Sequence, residues 1–66
     1  MAETTLIRLA DVMKKVGLKK SWIYHLIQQG EFPKSVSLGA RSVAWVEKEI
    51  DEWIINKINN REETQG

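Results

Sequence analysis

The chain contains no cysteine, and its single histidine, His25, has no cysteine or acidic residue near it at ligand spacing. The first absence excludes disulfides and thiolate metal sites. The second leaves no expected metal site. His25 as a general base would need a partner held in a cleft, and the sequence nominates none. No glycine-rich loop is present to cradle a phosphate. No apolar run approaches the roughly 20 residues that cross a bilayer. The opening residues, Met1-Ala2-Glu3-Thr4-Thr5, lack the basic and apolar regions of a signal peptide. These absences give the expectation of a cytoplasmic protein with no membrane contact, no cofactor, no small-molecule substrate and no enzymatic activity.

What is present suits one small domain. A chain of 66 residues buries only about 60% of the surface it exposes when unfolded. That leaves room for a single core and none for a deep cleft. A hydrophobic content of 42% is enough for that core and excludes disorder of the body. With no disulfide or metal, stability rests on packing. Three tryptophans serve it, each able to bury about 150–250 Å².

The net charge of +1 hides an asymmetry. Residues 1–41 carry seven basic side chains (Arg8, Lys14, Lys15, Lys19, Lys20, Lys34, Arg41) against three acids, a net +4. Residues 42–66 carry three (Lys48, Lys57, Arg61) against six acids, a net −3. Charge segregated in this way points to a polyanion met by one end of the molecule. The acids Glu47, Glu49, Asp51 and Glu52 radiate outward on a helix and read as a solvated face.

Residues 1–5 are expected to be loose, 6–59 to form the domain, and 60–66 to form a flexible tail. The stretch Leu6-Ile7-Arg8-Leu9 opens the ordered part, as an extended piece or as the run into a helix. Leu9, Val12, Met13 and Val16 follow amphipathic helical spacing. Asp11 in the first turn and Lys14-Lys15 in the last suit the helix dipole. Gly17 then supplies a positive φ to end the helix. A second helix starts near Lys20 after the short Gly17-Leu18-Lys19 connection, a helix-turn-helix arrangement. It spans 20–29 and ends at Gly30. Glu31-Phe32-Pro33 leaves it extended, because Phe32 precedes proline. Lys34 to Trp45 reads as a hairpin turning at Gly39-Ala40, with Val43 and Trp45 facing the core and Arg41 pointing away. A last helix runs from about Val46 to Asn59, with Val46, Ile50, Trp53, Ile54 and Ile58 as its apolar stripe. Ile55 lies off that stripe, either as a lone exposed residue or as the start of a dimer contact. The expected fold is mostly α with a small β-hairpin, in the order helix-helix-hairpin-helix of a winged helix-turn-helix domain.

The second helix organises the chain. At about 100° per residue, Ile23, Leu26 and Ile27 share one face. Lys20, Ser21, Tyr24, His25 and Gln28 share the other. Every member of that second set can donate a hydrogen bond and none is acidic. Such a face suits the phosphates and base edges of a DNA major groove. Gln28 can pair bidentately with adenine, and Lys20 can reach guanine or a phosphate. Ser21 can take either role. Tyr24 offers a hydroxyl and an apolar ring. Lys19 stands at the N-cap, where Ser, Thr, Asp or Asn is preferred; a phosphate there would offset the misplaced cation, while a boundary two residues later would put Ser21 at the cap. Arg41 is expected in or along the minor groove, and Lys34 and Ser42 complete the candidate DNA contacts. Trp22, at the edge of the face, is read as a core plug against the hairpin or last helix.

The order of these features resembles the AlpA family of phage and prophage regulators, related to the excisionases and to MerR-like winged helix-turn-helix domains. The matching residues are Arg8-Leu9, Val16-Gly17-Leu18, Ser21, Ile23-Tyr24, Leu26-Ile27 and Gly30-Glu31-Phe32-Pro33. They continue through Val36, Leu38-Gly39, Arg41, Val43, Trp45, Glu49-Ile50 and Trp53-Ile54. The resemblance covers roughly residues 7–55 and implies a DNA-binding transcriptional regulator, with the second helix in the major groove, the hairpin 35–45 as wing, and Lys20, Ser21, Tyr24, His25 and Arg41 as contacts. The sequence departs from the family's usual small hydroxyl residue at Lys19 and its frequent threonine at Trp22. Two other functions use the same chain differently. An excisionase-type architectural factor would bend DNA and recruit an integrase. A protein-interaction module would use the acidic last helix to contact RNA polymerase or a second copy of the chain.

Overall fold

A computed structural model describes residues 4–61. The ends of the expected loose N-terminus and flexible tail, 1–3 and 62–66, lie outside the described residues. The elements are β1 (Leu6–Ile7), α1 (Leu9–Val16), α2 (Lys20–Gln28), β2 (Val36–Ser37), β3 (Val43–Val46) and α3 (Glu47–Asn59). This is the mostly helical, winged helix-turn-helix order, with a two-residue N-terminal strand added. The strands form an antiparallel sheet in the order β1-β3-β2. Leu6 pairs with Val46 and Ile7 with Trp45, while Val36 pairs with Ala44 and Ser37 with Val43. The backbone N–H of Glu47 also donates to the Thr5 carbonyl at 2.8 Å.

Both helix ends of the helix-turn-helix unit follow from glycine. Gly17, at φ 71°, closes α1 by donating its N–H to the Met13 carbonyl at 2.8 Å. Gly30, at φ 75°, donates to Ile27 at 3.0 Å, and Glu31 donates to Leu26 at 2.9 Å. That pair of bonds is the Schellman closure of a helix C-terminus. Gln29 is therefore the cap of α2 and not its last helical residue.

The core is Val12, Ile23, Phe32, Trp45 and Ile50, drawn from every part of the helix-helix-hairpin-helix order. Strict alternation along the second hairpin arm would leave Ala44 outside. Instead Ala44 and Trp45 are both fully buried, although adjacent Cβ atoms point to opposite faces of a sheet. The reason is position, since β3 is the central strand.

The segment leaving α2 is clamped by two indoles. Trp45 on β3 donates its indole N–H to the Pro33 carbonyl at 3.1 Å. Trp53 on α3 donates to the Glu31 carbonyl at 2.8 Å. Between those carbonyls, the buried Phe32 ring meets Trp53 edge-on, with centroids 4.8 Å apart. Sheet and last helix together thus fix the exit of α2, and with it the orientation of the helix.

Two expectations about packing are corrected. Ile58, read as part of the α3 stripe, is 51% exposed, beside Ile55 at 53%. The core contacts of α3 run through Ile50, Trp53 and Ile54 and do not extend to Ile58 in its last turn. Trp22 is 51% exposed and no core plug.

One ion-pair cluster ties α1 to α3. Lys15 Nζ lies 2.6 Å from Asp51 Oδ1 and 3.2 Å from Glu47 Oε2. The hydrogen bond to Asp51, and then that to Glu47, raise the Lys15 pKa above the ordinary value of 10.5. A raised lysine pKa contributes stability that is fully present below the unfolded-state value and is lost as pH climbs through the folded-state value. The cluster is largely solvated, so its contribution is modest. The wild type is expected to melt above Lys15→Gln at neutral pH, and the gap to close as pH rises beyond 10.5. Paired thermal melts check this, and a gap that persists at high pH contradicts it.

Candidate nucleic-acid interface

The candidate surface is built on the outer side of α2. Ile23 points inward and is fully buried, with Leu26 and Ile27 half-buried beside it. That anchoring turns Lys20, Ser21, Tyr24, His25 and Gln28 outward, and all five are exposed. Lys19 is the N-cap residue in extended conformation, with no side-chain cap hydrogen bond and no acid in the first turn. The start of α2 therefore presents free backbone N–H groups and cationic side chains together. Both the helix dipole and those N–H groups favour an anion there.

Tyr24 sits between two roles. It is 39% exposed, yet its ring centroid lies 6.3 Å from that of Trp45, tilted by 59°. The core thus braces Tyr24 and links α2 to the hairpin. Lys34 is exposed in the segment before β2. Arg41 is exposed in the hairpin loop, which closes where the Leu38 N–H donates to the Ser42 carbonyl at 2.7 Å. The Ser37 hydroxyl donates to the Gly39 carbonyl at 3.3 Å, across the start of the same loop. Ser42 is half-buried and offers less side chain than expected. Lys19, Lys20, Ser21, Tyr24, His25 and Gln28 thus share one helix and its cap. Lys34 precedes β2 and Arg41 and Ser42 lie in the hairpin loop, and Tyr24 against Trp45 joins α2 to the strand that follows that loop.

Trp22, read from the sequence as a core plug, lies at the surface beside these α2 residues. Its indole stacks on the His25 imidazole, with centroids 4.8 Å apart and planes 28° apart. The available signal was spacing, since residues three apart on a helix are neighbours. Lys15, one of the seven basic side chains counted for residues 1–41, is held by Asp51 and Glu47.

The remaining surface differs in character. An open groove runs between Gly30–Pro33 and α3, with Glu31, Glu49 and Glu52 along it. Lys57 Nζ lies 5.4 Å from the centre of the Trp53 ring at the same groove. Among the described residues, no group of three or more His, Cys, Asp or Glu side chains could hold a metal ion. No described helix is long and apolar enough to cross a membrane.

The family described as prophage CP4-57 regulatory protein (AlpA) matches residues 5–58. An uncharacterized protein of Enterobacteria phage P4, ORF88, is 46% identical over 55 residues, which covers 83% of this chain and 62% of that protein. The chain thus spans less than two thirds of the phage P4 protein. A DNA-binding transcriptional activator of Escherichia coli (strain K12), AlpA, is 38% identical over 55 residues, covering 74% of this chain and 79% of its own length.

Proposed function

The chain belongs to the AlpA family of prophage regulatory proteins, and we propose that it is a DNA-binding transcriptional regulator of phage type, with α2 in the major groove and the 35–45 hairpin as wing. The observation that carries this reading is the outer side of α2: exposed donors, two lysines at its start and no acid in its first turn. The relative named a DNA-binding transcriptional activator supports the same reading. In the proposed complex Lys19 and Lys20 each meet a phosphate, one of them also held by the free N–H groups of the first turn. Ser21, His25 and Gln28 meet base edges. Tyr24, braced by Trp45, sets the distance between helix and wing, and Lys34, Arg41 and Ser42 follow the backbone beside the groove.

The test is fluorescence anisotropy of labelled duplex DNA at two salt concentrations. About four phosphate contacts, from Lys19, Lys20, Lys34 and Arg41, predict a roughly 100-fold loss of affinity between about 50 and 200 mM salt. Absence of binding at low salt, or affinity indifferent to salt, contradicts the reading.

A further inference from the structure

Two of the three indoles are accounted for by the fold. Trp45 and Trp53 donate their N–H groups to the carbonyls of Pro33 and Glu31. Trp22 does neither job: it is 51% exposed, and among the described residues no acceptor partners its N–H. An indole so exposed forgoes the burial that usually accounts for a tryptophan. Its ring nonetheless has a neighbour, stacking on His25 with centroids 4.8 Å apart. Such stacking in the free protein reduces the side-chain entropy that a partner's docking would otherwise cost.

Its position says what that partner is. Trp22 lies in the first turn of α2, beside Lys19, Lys20 and Ser21, with no acid in that turn. That charge environment complements a polyanion. A recognition helix reaches base edges with the residues of its N-terminal part. The major groove offers one apolar feature to an apolar ring, the C5 methyl group of thymine. Resting on the reading of α2 as the DNA-contacting helix, we propose that Trp22 and His25 form a thymine-methyl subsite, with the indole packing on the methyl and its free N–H donating to an acceptor at the groove edge.

The experiment begins by selecting, with the wild-type chain, the tightest binders from duplexes with a randomised core. Each thymine of the winning duplex is then replaced singly by deoxyuridine, which keeps the base pair and removes only the methyl. Binding is read by anisotropy for wild type, Trp22→Ala and Trp22→Phe. Loss of one buried methyl corresponds to about a fourfold loss of affinity. That loss is expected at one thymine for wild type, in part for Trp22→Phe, and not at all for Trp22→Ala. Trp22→Ala should itself bind the parent duplex about tenfold more weakly, by analogy with one good base contact. Circular dichroism should show Trp22→Ala folded, since the indole is outside the core; an unfolded Trp22→Ala overturns the proposal by making Trp22 structural. If wild type and Trp22→Ala respond identically to every replacement, the subsite is overturned while DNA binding stands. If the wild-type chain binds no duplex even at low salt, the reading of α2 falls and the subsite with it.

Discussion

Trp45→Ala is expected to leave the domain largely unfolded at 25 °C. Trp45 is fully buried on the central strand, pairs with Ile7 across the sheet, and holds the Pro33 carbonyl by its indole N–H. Truncating such a side chain removes about 3–5 kcal/mol. A domain of 66 residues has only about 3–10 kcal/mol in total, and short chains lie toward the low end. The loss is enlarged because the cavity opens where α2, the sheet and α3 meet, and because the Pro33 carbonyl is left without its donor. Trp45→Phe keeps most of the ring and loses the hydrogen bond, so it should cost about 1–3 kcal/mol and remain folded. Urea titration followed by circular dichroism reads both. A Trp45→Ala protein that unfolds cooperatively near the wild-type midpoint would show that the core is organised elsewhere.

Removing a positive charge from each end of the proposed surface should have the largest effect on binding. Lys20 opens α2 and Arg41 stands in the hairpin loop. Charge-assisted hydrogen bonds contribute about 1.5–3 kcal/mol each, and separated sites add. The Lys20→Ala/Arg41→Ala double variant should therefore bind duplex DNA about 100-fold more weakly or worse, with a salt slope shallower by about 2. Lys48→Ala/Arg61→Ala is the control. It removes the same net charge from exposed positions in and just beyond α3, so it should change affinity by no more than about threefold, the share of long-range screening. Equal losses in the two double variants would mean that net charge, and not this surface, governs binding.

Much of the fold was legible because its signals are local. The spacing of Leu9, Val12, Met13 and Val16, with Gly17 after them, marks α1 and its end. Gly30, in the left-handed conformation, marks the end of α2, while the exit expected to be extended bends at Phe32. What was illegible depends on distant partners. The stretch from Leu6 is too short to show a period, which leaves it open between an extended piece and the run into a helix; the edge of β3 makes Leu6–Ile7 a strand. Ile58 keeps the helical spacing of α3 but lies beyond the core cluster. Trp22 stands at the boundary of the two α2 faces, where periodicity favours neither side; its stacking on His25 decides its place. Helical spacing assigned Ile58 to the core and bulk assigned Trp22, although large apolar side chains are often found exposed.

In the proposed complex duplex DNA is met by α2 and the hairpin, and not by α3. The direct measurement is a ¹⁵N-resolved NMR titration of the folded chain with duplex DNA at low salt, which needs no knowledge of the operator. Amide shifts are expected to concentrate in residues 19–28 and 34–42, together with a shift of the Trp22 indole N–H. The indole N–H signals of Trp45 and Trp53, bonded to Pro33 and Glu31, should stay nearly fixed. Shifts concentrated in residues 47–59, with α2 unmoved, would contradict this mode of binding.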